Sequence, residues 1–303
     1  MVAFIFPGQG AQYVGMGEDL YEAFAESREV FDAADRILGL RLSKLCFEGP
    51  AEELTRTVNC QPAIFTMSIA ALAAFKSDAR YQMSDVRYMA GLSLGEYTAL
   101  AAAGAISFED GLLLVAQRAR FMDEAAIQKP GRMSSILGLD FDKIQKIAQE
   151  SGIEIANLNC PGQVVITGSA EAVNRANNLA LKHGARRAIN LEVSGAFHSS
   201  LMHSAAVKLS KALADINIKA SEVPVISNIT AAIESSPEEI KNNLIRQLTG
   251  SVLWEKSVRF MLGSGVNKIF EIGPGKVLRG LVRKIDAKVE VVNISKSDEI
   301  KKE

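Results

Sequence analysis

Val86-Arg87-Tyr88-Met89-Ala90-Gly91-Leu92-Ser93-Leu94-Gly95-Glu96 is the stretch on which the fold turns. Its first part is an apolar run ending at a glycine, the pattern of a buried strand. From Glu96 to Ala103 the residues favour a helix, and Gly104 ends it. Between strand and helix lies Gly91-Leu92-Ser93-Leu94-Gly95, a G-x-S-x-G sequence in the context that a nucleophile elbow requires. Small residues are needed there because the turn is sharp and the serine backbone is strained. The following helix aims its first N–H groups at developing negative charge, which makes the Leu94 N–H one candidate oxyanion donor. The competing reading is a glycine-flanked helix cap at Ser93.

Upstream, Val2 to Phe6 reads as a first strand closed by Pro7-Gly8, followed by helical spacing from Asp19 to Phe31 and a buried helix from Ala63 to Phe75. Downstream, Ser107 and Asp110 have the form of a capping box, and Leu112, Val115, Ala116, Ala119 and Met122 line one face of a second helix. Lys129-Pro130-Gly131 stops it. The next elements run strand (Met133 to Leu139), helix (Phe141 to Glu150), strands (Ile153 to Asn157, Gln163 to Thr167), helix (Ala170 to His183) and strand (Arg187 to Val193). That order is β-α-β-β-α-β, the ferredoxin-like pattern. Beyond it come a helix from Leu201 to Ala214, a strand at Val223 to Ile226, a helix around Glu238 to Leu248, a last strand at Lys268 to Ile272, and a Lys-rich tail over 296–303 expected to fray. The expected architecture is a large α/β domain with a mostly parallel sheet, formed by 1–128 and 197–303, carrying a small ferredoxin-like insertion over 129–196. The cleft between the two is where a site is expected.

Composition narrows the function. Of 303 residues, 48% are hydrophobic and 23% charged, with a net charge of −1. No surplus of Lys and Arg stands ready to neutralise phosphates, so nucleic acid is not an expected partner. The longest apolar runs, Ala70 to Phe75 and Leu112 to Ala116, fall short of a bilayer span. The first residues lack the basic region of a signal peptide, and a cytoplasmic location is expected. Cys46, Cys60 and Cys160 have no C-x-x-C spacing, so neither a disulfide framework nor a metal site is indicated.

A serine nucleophile needs a base, and the chain offers His183, His198 and His203. His183 before Gly184 suits a helix end, and His203 falls inside a predicted helix. His198 lies on a loop at the junction of the two units, the better placement for a base. From Ser93 a helix runs outward for about ten residues, or ~15 Å, and a second helix returns. If the two are antiparallel neighbours, Arg118 ends level with Ser93, where its guanidinium fork suits a carboxylate. Gly8-Gln9-Gly10 fails as a dinucleotide fingerprint because Tyr13 replaces the third glycine, but it can bring the Gln9 N–H close to a ligand as a second oxyanion donor.

Phe6-Pro7-Gly8-Gln9-Gly10, Gly15-Met16-Gly17, Gly91-Leu92-Ser93-Leu94-Gly95-Glu96 and Gln117-Arg118 together resemble the malonyl-CoA:acyl carrier protein transacylases of fatty acid synthesis. The likeness continues through Asn159-Cys160-Pro161-Gly162-Gln163-Val164-Val165, Gly195-Ala196-Phe197-His198-Ser199 and Glu271-Ile272-Gly273-Pro274-Gly275-Lys276-Val277-Leu278. The resemblance implies an α/β-hydrolase-like large domain, Ser93 as nucleophile, His198 as base, and the N–H groups of Gln9 and Leu94 as oxyanion hole. It further implies a main-chain carbonyl of Gln247 that orients the histidine, Arg118 as carboxylate clamp, and Phe197 and Asn159 on the substrate side. Malonyl-CoA and acyl carrier protein are then the implied partners of a monomer that needs no cofactor. Leu92 departs from the histidine that many members carry before the serine. Three other readings stay open on sequence alone. One is a thioesterase or carboxylesterase using Asp123, Glu124 or Asp140 as third member of a triad; another is an acyltransferase serving a polyketide synthase; the last is a carrier-binding module without chemistry.

Overall fold

The computed structural model describes residues 1–77 and 83–300. Its strands are β1 (Val2–Phe6), β2 (Val86–Gly91), β3 (Arg132–Leu137), β4 (Glu154–Cys160), β5 (Gln163–Gly168), β6 (Arg187–Asn190), β7 (Val225–Ile226), β8 (Lys268–Ile272) and β9 (Glu290–Ile294). Five of them form a parallel sheet in the order β7-β2-β1-β8-β9. The other four form an antiparallel sheet in the order β4-β5-β3-β6. With β3 as its first strand this is the strand order of the ferredoxin-like pattern.

The parallel sheet is buried on both faces, and side-chain alternation assigns each residue to one of two cores. Phe4, Phe6, Met89, Phe270 and Ile272 enter the larger core with the helices Thr57–Ser77, Leu94–Ala102 and Phe108–Gln128. Ala3, Ile5, Tyr88, Ala90 and Ile269 enter the other, with the helices Trp254–Gly263 and Val277–Ile285. The helix Thr57–Ser77 is long and apolar enough to cross a membrane, but 78% of its apolar window is buried inside the fold. It is the central core helix. Its first residues extend past Pro62 into sequence that the expected helix, starting at Ala63, leaves out.

The antiparallel sheet sorts its residues in the same way. Val164 and Ile166 pack on the helices Phe141–Ser151 and Ala170–Lys182, while Met133 and Val165 point to the opposite face, toward the parallel sheet's unit. Two backbone hydrogen bonds join the units: Leu158 N–H to the Val252 carbonyl (2.9 Å) and Val252 N–H to the Ala156 carbonyl (2.8 Å).

Several expected boundaries move. The helix expected over Asp19 to Phe31 is two helices, Glu18–Ala23 and Ala25–Leu38, because Phe24 between them is extended (φ −129°, ψ 125°). The strand at Val223 shortens to Val225–Ile226, and the helix expected from Leu201 opens as a 3₁₀ turn, Ser200–Met202, before His203–Ala214. β8 is not the last strand: β9 pairs with it in parallel register at the sheet edge. The tail does not fray at its start. Ser297–Ile300 is a short helix with Ile300 buried, and 301–303 lie outside the described residues.

Candidate active site

The turn after β2 places Ser93 at φ 53° and ψ −102°, a conformation that costs free energy for a non-glycine residue. Its flanking glycines are a steric requirement. A Cβ on Gly91 would lie 1.9 Å from the Gly95 carbonyl carbon, and one on Gly95 would lie 2.1 Å from the Phe6 carbonyl oxygen. The elbow is held from outside by buried Asn228. Its Oδ1 accepts the Ser93 N–H (2.6 Å) and its Nδ2 donates to the Gly91 carbonyl (2.7 Å).

Ser93 Oγ stands 2.8 Å from His198 Nε2. On the far side of the ring, Nδ1 lies 2.7 Å from the Gln247 main-chain carbonyl. A carbonyl only accepts, so Nδ1 carries the proton and Nε2 presents a free lone pair to the serine hydroxyl. Burial, reinforced by the nearby Arg118 charge and opposed by the Gln247 carbonyl, pulls the imidazole down to about 4. It is therefore neutral, the form a base requires. His183 instead ends the helix Ala170–Lys182, and His203 begins the helix His203–Ala214. No triad carboxylate reaches the ring among the described residues: the Gln247 carbonyl takes Nδ1, Glu124 pairs with Lys208 and Arg120, and neither Asp123 nor Asp140 hydrogen-bonds His198.

Arg118 comes back level with Ser93, as the geometry of two antiparallel helices predicts. It is 1% exposed, and its Nη2 donates to Ser93 Oγ and to Gln247 Oε1, both at 3.0 Å. Its Nη1 donates to Gln61 Oε1, and the guanidinium lies 5.1 Å from the Tyr97 ring centre. Gln247 is spent in full. Its Nε2 donates to Glu96 Oε2 (2.6 Å) and to the Ser93 carbonyl (3.0 Å), so the amide orientation is fixed by partners on both sides.

The cavity over Ser93 has a volume of about 180 Å³ and lies between the two units. Gln9, Leu94, Arg118, Asn159, Phe197 and His198 all line it with Ser93, and Gln247 stands directly behind. The loop carrying Gln9 approaches closely because residue 8 has no side chain: a Cβ there would lie 2.4 Å from the Leu92 carbonyl oxygen. The Gln9 side chain reaches Thr57 Oγ1 at 3.3 Å, and Thr57 contacts Ser194 Oγ at 3.0 Å. Asn159 lines the cavity and is 7% exposed, and its Oδ1 is a buried acceptor with no partner within the chain. Sequence reading missed Gln61, Asn228 and Glu96. Only Glu96, directly after the elbow motif, carried any signal.

Residues 3–291 match the acyl transferase domain family. The malonyl CoA-acyl carrier protein transacylase of Bacillus subtilis is 47% identical over 304 residues, covering 99% of this chain and 95% of the relative. The acyl-carrier-protein-S-malonyltransferase of Bartonella henselae, solved as a crystal structure, is 41% identical, with a TM-score of 0.96 over 99% of this chain and 97% of its own. A malonyl-transacylase solved with a type II polyketide synthase acyl carrier protein is 38% identical, with a TM-score of 0.95 over 99% of this chain and 97% of its own.

Proposed function

The chain belongs to the acyl transferase domain family, and from that premise we propose that it moves a malonyl group from malonyl-CoA to the phosphopantetheine thiol of acyl carrier protein, feeding fatty acid synthesis. The observation that carries this reading is a single oxygen with two attendants. Ser93 Oγ has a neutral imidazole nitrogen at 2.8 Å and a buried guanidinium nitrogen at 3.0 Å. The first makes it a nucleophile; the second places a cation where the carboxylate end of a dicarboxylic acyl group would lie.

In the proposed reaction His198 Nε2 takes the hydroxyl proton as Ser93 Oγ bonds to the thioester carbon. The Gln9 and Leu94 N–H groups receive the oxyanion, since neither is engaged within the chain among the described residues. Collapse breaks the carbon–sulfur bond, and the imidazolium returns its proton to the departing CoA sulfur. The carrier thiol then gives its proton to His198 and attacks the ester; as the carbon–Ser93 Oγ bond breaks, the imidazolium returns that proton to Oγ, which restores the serine and releases the malonyl thioester. The Gln247 carbonyl does the work of a triad carboxylate by holding the ring, at lower charge. Phe197 and Asn159 shape and bind the acyl side. The residues supply every proton transfer, so no cofactor is invoked, and the enzyme acts as a cytoplasmic monomer.

Intact mass after mixing with malonyl-CoA tests this directly. A malonyl adduct is expected on the wild type and none on Ser93→Ala, and holo acyl carrier protein should discharge it. An adduct lost to water as fast as to carrier would return the hydrolase reading. The likeness to the transacylase solved with a polyketide carrier makes such a carrier the alternative acceptor, and a chase with each carrier in turn separates the two.

A further inference from the structure

Arg118 is buried, yet its direct partners Gln61, Gln247 and Ser93 are all uncharged. A guanidinium that deep needs a counter-charge. The nearest route to one runs through a single amide: Arg118 Nη2 donates to Gln247 Oε1, and Gln247 Nε2 donates to Glu96 Oε2 at 2.6 Å. Glu96 is itself 0% exposed and also accepts the Asn228 N–H at 3.2 Å, while its Oε1 has no partner.

We propose that Glu96 is the internal counter-charge of Arg118 and a positioning residue for the transfer reaction, acting on both ends of Gln247. Through the Gln247 side chain it steadies the guanidinium, and by pinning that residue it steadies the carbonyl that orients His198. This rests on the transfer reading above. It adds a competition that no single hydrogen bond displays: the malonyl carboxylate and Glu96 neutralise the same cation. Binding of the first therefore favours protonation of the second.

The titratable groups around the Arg118–Glu96 pair set the direction of the coupling. Tyr97 lies under the guanidinium, His198 is beside it, and Glu234, 4% exposed, sits next to Glu96 with Glu239 behind. Burial pushes Glu96 up into the neutral range. Glu234 is raised further, by burial first and then by the Glu96 charge, and stays protonated while Glu96 titrates. The sign then follows from linkage. Glu96 is raised in the free protein and raised again by a carboxylate at Arg118, so malonyl binding takes up a proton and weakens as pH rises.

The experiment uses full-length Ser93→Ala, in which binding is read without turnover. The dissociation constant of malonyl-CoA is expected to rise about three- to tenfold between roughly pH 6 and 8.5. Acetyl-CoA, which shares every other ionisation, should show a flat profile. Adding Glu96→Gln, which keeps an acceptor oxygen for Gln247 and removes the charge, should flatten the malonyl-CoA profile and tighten binding at pH 8.5. In the otherwise intact enzyme the same substitution should lower kcat and KM together, whereas a packing defect lowers kcat and raises KM. Adding Glu234→Gln should leave the slope in place. Malonyl-CoA that binds with no slope in Ser93→Ala overturns the proposal and leaves the transfer reading standing, and this arm needs no substitution at Glu96. A slope that survives Glu96→Gln also overturns it. Failure of malonyl-CoA to bind at all overturns both.

Discussion

The two units supply the site in different currencies. The parallel-sheet unit contributes the reacting and charged side chains, Ser93, His198 and Arg118, on a constrained backbone: a serine at φ 53°, two glycines that tolerate no Cβ, and N–H groups at a helix start and a glycine turn. The antiparallel unit contributes side-chain surface, Met133 and Val165 from regularly paired strands and Asn159 from the register shift between Leu158 and Cys160. Backbone placement transmits any disturbance straight to the reacting atom, while a side chain across the cavity can be trimmed and leave the rest in place. Chemistry should therefore be brittle on one wall and tunable on the other.

The sharpest way to break that contrast is Gly95→Ala. Its methyl would meet the Phe6 carbonyl at 2.1 Å with backbone on both sides, so a loss of about 3 kcal/mol in stability and over ~100-fold in acylation is expected, read by denaturant melts and adduct mass. Arg118→Ala comes next. It should cost malonyl transfer roughly 100- to 1,000-fold, as loss of a buried charged partner does, and acylation by acetyl-CoA less than about tenfold; equal losses with both donors would remove the clamp assignment. The base adds a pH signature. With His198 held near 4 by burial and the Arg118 charge, its neutral form persists well below the range of a free histidine. At saturating malonyl-CoA, single-turnover acylation should hold from pH 8 to about 5 and fall below that. The smallest effect belongs to the other wall. Asn159→Ala removes one unpartnered acceptor and should raise KM about two- to fivefold with kcat little changed. A kcat loss there as large as that of Gly95→Ala would end the comparison.

What was legible in the sequence follows the same division. Strand–turn–helix around Ser93 and the β-α-β-β-α-β order are local patterns, read from neighbouring residues. β9 escaped because Glu290 and Asn293 interrupt its apolar run at a sheet edge, where one side needs no partner strand. Ser93, His198, Arg118 and Gln247 were readable from motif, placement and resemblance. Asn228, Gln61 and the role of Glu96 were not, because each acts on a residue far away in the chain. Separations of 135 from Asn228 to Ser93, 57 from Gln61 to Arg118 and 151 from Glu96 to Gln247 leave no local trace. A buried carboxylate reads in sequence like any helix-start glutamate, and only the folded contacts show that it faces an amide and, beyond it, a cation.

The two hydrogen bonds that fasten β4 to Val252 also make the cavity's two walls answer to each other. The stitch lies five residues past Gln247, so a ligand that shifts the antiparallel unit pulls on the segment that seats the histidine, and what docks on one wall is felt at the proton of the other.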